Sequence, residues 1–188
     1  ASNLLGRGAA EESSAAPPVS ITGEISVSDV RKSFGVTRAL DGCSFSASLG
    51  EIHAIVGGNG CGKSTLAKVM SGVLPVDSGQ VSIIGHTPSS PHEARAAGIA
   101  TVFQEVLVAD ECSVVDNLYL GADPLWSKSL SMKAKIREAS AMMRELAAVD
   151  IDVEAPAGVL PLSIKQWITI GRALLWKPKV LILDESSA

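Results

Sequence analysis

Residues 57–64 read Gly57-Gly58-Asn59-Gly60-Cys61-Gly62-Lys63-Ser64, a match to G-x-x-x-x-G-K-[ST], and no other feature of the chain narrows its fold as far. The apolar run Ile52–Val56 before the loop has the length of a buried parallel strand, and the spacing after it predicts a helix over 63–70. Glycines let the main chain approach an anion closely and aim its N–H groups inward. The helix that follows adds the partial positive charge of its N-terminus. Lys63 then suits the β- and γ-phosphates, Ser64 offers a hydroxyl to Mg²⁺, and Asn59, Cys61 and Thr65 complete the wrap. The pattern implies a nucleoside triphosphate and says nothing of its use.

Strand and helix signals alternate along the rest of the chain, which is the pattern of an α/β fold with a mainly parallel core sheet. Ile25–Val30 alternates apolar and polar residues, Ala39–Ala47 is a second strand with a turn expected at Asp41-Gly42, and Val81–Ile84 and Ile99–Phe103 follow. Ser131 is placed to cap an amphipathic helix that carries Met132, Ile136, Ala139, Met143 and Leu146 three or four apart. Trp167–Leu175 is a helix ended by Pro178, and Val180–Leu183 is a last buried strand. Residues 1–22, rich in Ala, Ser, Glu and Pro, read as a disordered leader or linker before a domain at 23–188. The lack of an initiator Met, and a last residue so soon after a strand, read as an incomplete domain.

A formal net charge of −4 argues against nucleic acid as a partner. No window is apolar over the ~18 residues a membrane span needs, so any membrane is reached through another protein. Cys43, Cys61 and Cys112 form neither a disulfide framework nor a zinc pattern and read as thiols of a reducing, cytoplasmic setting. His53, His86 and His92 lack metal-ligand spacing, and Trp126, Trp167 and Trp176 read as packing or interface residues.

The strand Val180–Leu183 ends in Asp184 and Glu185. An acid at the strand tip can hold Mg²⁺ through its water shell, and the next acid can orient or deprotonate the attacking water. Phosphoryl transfer is mostly positioning and charge neutralisation, so these acids with Lys63 and Mg²⁺ make a minimal catalytic set.

With both halves of the phosphate site in place, residues from about 24 to the end resemble the nucleotide-binding domains of ABC transporters, within the P-loop NTPase (RecA-like) class. The segment Lys32–Leu40 is similar to the stretch before the phosphate loop, where Phe34 matches an aromatic that stacks on adenine. Ala97–Glu105 resembles the Q-loop, which makes Gln104 a contact of Mg²⁺ or the lytic water. Ser113–Leu118 matches the entrance to a helical subdomain, here about 113–158. The resemblance implies an antiparallel β segment near the N-terminus and this helical insert, whose surface meets a membrane subunit.

The signature that closes a partner's ATP in this family is L-S-G-G-Q, and here the chain departs from it. Leu160-Pro161-Leu162-Ser163-Ile164-Lys165-Gln166 aligns without a gap when anchored on Gln166 and on Ile170–Leu174. Pro161 then replaces the serine, and Leu162 and Ser163 replace the glycines. Anchoring on Leu162-Ser163 instead needs a two-residue deletion, which would rotate the buried face of the helix by ~200°. Both glycines are lost either way.

The resemblance implies ATP and Mg²⁺ as cofactors and an ATPase at the cytoplasmic face of a membrane. Its partners would be a second cassette, a transmembrane permease subunit and, indirectly, a substrate-binding protein. Phe103-Gln104-Glu105 and Asn117–Gly121 are in the style of the sugar-import branch. The alternatives are a regulatory cassette that binds ATP with little hydrolysis, a soluble non-transport ABC ATPase, and a small-molecule P-loop kinase. The bare 188 residues are expected to hydrolyse ATP poorly.

Overall fold

The structure, a computed structural model, describes residues 24–121 and 130–184. Ile25–Phe34 (β1) and Thr37–Ala47 (β2) form an antiparallel hairpin turned at Gly35, whose φ of 58° suits a residue without a side chain. Ser78–Ile83 (β3) pairs with the other edge of β1, giving the order β2-β1-β3. Ile25, Val27 and Val30 of β1, with Leu40, Val81 and Ile83, face a common core.

Asp41-Gly42, expected as a turn, lies instead inside β2. Arg31 faces Asp41 and Val30 faces Cys43, so Gly42 is the extra residue of a bulge, at φ 78°. A ten-residue neighbour strand lets the chain run on through this point. Arg31 also bonds the Asp29 and Asp41 carboxylates at 2.9 and 2.7 Å across the irregular stretch.

Lys63–Met70 (α1) follows the phosphate loop, buries Ala67 and packs Leu66, Val69 and Met70 into the same core. Pro91–Ala96 (α2) starts on a Ser90 cap, with Pro at its first position, where no N–H is needed. Ile99–Val102 (β4) and Val180–Leu183 (β5) form a parallel ladder from Ile99↔Val180 to Val102↔Leu183. The elements between them make a second cluster. Val114–Tyr119 (α3), Met132–Ala147 (α4) and Leu162–Leu175 (α5) pack Val114, Val115, Leu118, Ala139, Met143 and Ile168 against one another. The Ser131 hydroxyl accepts from Ala134 N–H at 3.3 Å, so the expected cap of α4 is formed. α5 begins five residues earlier than its periodicity suggests, because the Pro161 carbonyl takes the N–H groups of Ile164 and Lys165 at 3.0 and 3.1 Å. The architecture is thus mixed α/β, with an antiparallel N-terminal sheet, a parallel pair and a helical cluster.

A further expectation is overturned. Ile52–Val56 forms no ladder among the described residues, and Ile52 and Val56 are 101% and 91% exposed. The run has the composition of a buried strand, but burial requires neighbours on both edges and faces. A groove of about 410 Å³, lined by His53, Ala54, Ile55, Ala67 and Val180–Asp184, separates it from β5.

The antiparallel sheet is braced by Asp77, whose carboxylate takes the Lys32 ammonium and Ser33 N–H, both at 2.7 Å. These bonds, the Lys32 one foremost, hold its carboxyl below the usual Asp value of about 3.9. A depressed pKa stabilises the fold above the ordinary value, and that stabilisation is lost as pH falls through the folded-state value. Asp77→Asn is therefore expected to melt below wild type at pH 7, with the gap closing as pH falls below about 4. Melting curves between pH 3 and pH 7 would check it; a constant gap would refute it.

Candidate nucleotide site

The loop between Gly57 and α1 is shaped by its last glycine. Gly62 caps α1 at φ 94°, ψ 6°, in the left-handed region. A Cβ there would overlap the Ala39 carbonyl oxygen and come within 2.8 Å of Leu40 Cδ2, so the loop is seated on β2 through a residue that has no side chain. Gly60 is also left-handed, at φ 80°. Cys61 N–H donates to the Gly58 carbonyl at 3.3 Å, closing the turn.

Lys63 Nζ donates to the carbonyls of Gly57 and Gly58 at 2.7 and 2.9 Å, with Cys61 Sγ at 3.7 Å. Among the described residues no carboxylate bonds this ammonium. Ser64 Oγ donates to Asp184 Oδ1 at 2.9 Å, bridging 120 positions of sequence. Asp184 N–H in turn donates to the Val102 carbonyl at 2.8 Å, which extends the parallel ladder by one rung. Asp184 thus lies just past the end of β5, and Gln104 lies two residues past the end of β4, exposed. The two sit at the same carboxyl end of a parallel sheet, the usual place for a ligand in open α/β folds.

Phe34 ends β1 and is 48% exposed, with the Lys32 ammonium 5.9 Å from its ring centroid. Its partner Thr37 lies two residues before Ala39, the seat of Gly62, so Phe34 and the phosphate loop share one end of the hairpin. Asn59, Gly60 and Cys61 are exposed, and Thr65 is half-buried in the first turn of α1. Pro161 occupies the N-cap position of α5 without a side-chain cap bond, and Leu162, Ser163 and Gln166 are exposed around its first turns. Glu185 and Trp126 lie outside the described residues.

These groups fit a Mg-nucleotide. The loop carries an ammonium that bonds no carboxylate among the described residues, beside glycine backbone. The Ser64 and Asp184 oxygens stand at the separation, about 2.9 Å, of neighbouring oxygens around Mg²⁺ with ligands at ~2.0–2.1 Å. Among the described residues no cluster of three or more His, Cys, Asp or Glu could hold a metal by itself.

Sequence reasoning met Asn117 and Arg172 only inside family-like segments and gave neither a role of its own, yet both bind the stretch after Gln104. Asn117 is 1% exposed within an otherwise apolar stripe of α3, and that position is the only hint the sequence offers.

A phosphate loop whose serine meets a strand-end acid at the carboxyl edge of a parallel pair defines a P-loop nucleotide-binding domain. More particularly, the chain belongs to the ABC transporter family, whose model matches residues 40–188. It is 38% identical over 167 residues to the ribose import ATP-binding protein RbsA of Chromobacterium violaceum, covering 88% of this chain and 33% of that protein. It is 40% identical over 167 residues to the ribose import ATP-binding protein RbsA 2 of Streptomyces avermitilis, again covering 33% of the relative. The chain therefore spans about a third of the length of these curated relatives. Among solved structures it resembles a nucleotide-free ATP-binding cassette from an ABC transporter, with a TM-score of 0.71, 31% identity and coverage of 87% of this chain and 69% of that one. It also resembles the ADP conformation of another such cassette, with a TM-score of 0.68, 26% identity and coverage of 87% and 82%.

Proposed function

We propose that this chain is the ATP-binding and hydrolysing cassette of a sugar importer, acting at the cytoplasmic face of a membrane beside a permease subunit and a second cassette. The observation that carries the reading is the Ser64–Asp184 bond, because it joins the phosphate loop to the strand-end acid that Mg-nucleotide chemistry requires. The ribose-import names of the relatives support sugar as the cargo class. No described helix is long and apolar enough to cross a membrane, so the membrane contact falls to the partner.

The residues divide the work by charge and position. Loop N–H groups and the α1 N-terminus receive phosphate oxygens, and Lys63 exchanges the Gly57 and Gly58 carbonyls for them. Bound Mg²⁺ neutralises the β- and γ-phosphate charge. Ser64 and Asp184 hold that ion or its water, with Gln104 on the adjacent strand end. Glu185, next in sequence to Asp184, accepts the proton of the attacking water at its carboxylate. Phe34 offers its exposed ring to the adenine.

A second reading, a regulatory cassette, is favoured by the first turn of α5. Pro161 offers no hydroxyl at the N-cap, and exposed Leu162 puts an apolar side chain where the family signature has glycine. Such a turn closes a partner's ATP poorly while leaving this chain's own loop able to bind. The deciding measurement is Mg-ATP turnover by the full-length protein with its membrane partner, beside Glu185→Gln. Hydrolysis by wild type, stimulated by a sugar-loaded binding protein and reduced on the order of 10³-fold in Glu185→Gln at unchanged ATP affinity, is expected. Tight ATP binding with no turnover in either protein would replace the importer reading with the regulatory one.

A further inference from the structure

The β1–β3 ladder ends at Arg31↔Ser78, while β1 runs on to Phe34 paired with β2 alone. Past that point a backbone donor on the other edge of β1 needs a different acceptor. Asp77, the residue before β3, supplies one. Its carboxylate accepts Ser33 N–H and the Lys32 ammonium, both at 2.7 Å, and its own N–H donates to the Arg31 carbonyl at 3.0 Å. One residue thus fastens three successive residues at the strand end.

Lys32 and Phe34 stand two apart on β1 and so share a face of the hairpin. The Lys32 side chain is only 12% exposed, and its ammonium lies 5.9 Å from the Phe34 ring centroid, within reach of a cation–π contact. Lysine is seldom covered this far unless it is paired, and Asp77 is its pair. The Phe34 ring is half-exposed, belongs to neither hydrophobic cluster and precedes Gly35 and the fully exposed Val36. The cation is therefore the contact that orients it. Across the hairpin Lys32 faces Leu40 and Ser33 faces Arg38, so Ala39 is an extra residue of β2. The Ala39 carbonyl is the one that Gly62 of the phosphate loop approaches. The same short stretch of the hairpin thus carries both the aromatic ring and the seat of the phosphate loop.

We propose that Lys32 and Asp77 are positioning residues for the nucleotide base: the Asp77 carboxylate holds the Lys32 ammonium against one face of the Phe34 ring, which fixes the ring plane and leaves the other face open to adenine. The inference rests on the reading that Phe34 receives the base. An exposed side chain that is ordered only on binding costs affinity, and a ring already held in place avoids that cost. Lys32 and Asp77 act through Phe34 and touch neither the base nor the phosphates, so their effect falls on base recognition alone.

The test is titration calorimetry on the full-length protein with Mg-ATP and, separately, with Mg-tripolyphosphate, which has the phosphates and no base. Lys32→Met is expected to weaken ATP binding about three- to tenfold and to leave tripolyphosphate within about twofold of wild type. Phe34→Ala should weaken ATP binding about tenfold and likewise spare tripolyphosphate. In the double variant Phe34→Ala/Lys32→Met the two losses should not multiply, because the ammonium acts through the ring. Lys32→Arg, which keeps a cation beside the ring and a partner for Asp77, should bind ATP within about twofold of wild type. Wild-type ATP affinity in Lys32→Met, equal losses for ATP and tripolyphosphate, losses that multiply in the double variant, or Lys32→Arg binding no better than Lys32→Met would each overturn the proposal. If Lys32→Met does not fold, Asp77→Asn decides by the same comparison of the two ligands, since it keeps an acceptor for Ser33 N–H and removes the charge that holds the ammonium. Wild-type ATP affinity in Phe34→Ala would instead remove the reading of Phe34 as the platform for the base, and this proposal with it.

Discussion

Lys63→Ala is expected to lower Mg-ATP affinity on the order of 10²-fold while leaving the melting temperature of the nucleotide-free protein unchanged. Among the described residues the ammonium bonds the carbonyls of Gly57 and Gly58 and touches Cys61 Sγ, all within its own loop. Removing it leaves two carbonyls on exposed residues, which water can satisfy. The nucleotide complex loses a charge-assisted contact with its phosphates, worth about 1.5–3 kcal/mol for each such bond, and every 1.4 kcal/mol is tenfold in affinity. Lys63→Arg is expected to bind poorly as well, because a planar fork does not replace a compact charge in a loop this tight. Titration with a fluorescent ATP analogue, paired with melting of the free protein, measures both halves. An affinity within threefold of wild type would show that the phosphates lie elsewhere.

The second large effect falls on stability. Gly62→Ala is expected to destabilise the fold by about 3 kcal/mol, roughly a 10 °C drop in melting temperature for a domain of this size. Two costs add. The left-handed φ of 94° is unfavourable for any residue with a Cβ, and that Cβ would overlap the Ala39 carbonyl, which belongs to a paired strand and cannot move freely. Gly58 is the matched control. A Cβ there meets nothing within 4 Å, so Gly58→Ala should melt within a few degrees of wild type. If Gly62→Ala melts like the control, the loop is not seated on β2 as described.

Much of the candidate site was legible before any coordinates. The loop motif, the strand-end acid and the resemblance around Phe34 and Gln104 each name residues, and the structure puts Ser64 against Asp184 and Gln104 on the neighbouring strand end. The cap at Ser131 is local too, since a hydroxyl and an N–H three residues on meet whenever a helix starts there. Less legible was everything that required a second segment. Asp41-Gly42 has turn composition, yet it becomes a bulge because β1 offers a longer ladder than a turn would use. Ile52–Val56 has the composition of a buried strand, yet it is exposed because no described strand lies against it. Arg172 enters the sequence reading only as part of the Ile170–Leu174 anchor, and only the fold aims it at Leu107 and Asn117.

By itself the sequence determined the glycine-rich loop, the charge of Lys63, the caps and periods of the helices and the acids after β5. These rest on sterics and hydrogen bonds within a few residues, which any chain with that order must obey. Only the tertiary structure decided that Ser64 and Asp184 meet across 120 positions, that Gly62 rests on β2, and that the stretch after Gln104 is strapped to α5. Those contacts depend on which segments the topology lays side by side, and no local pattern of side chains encodes that.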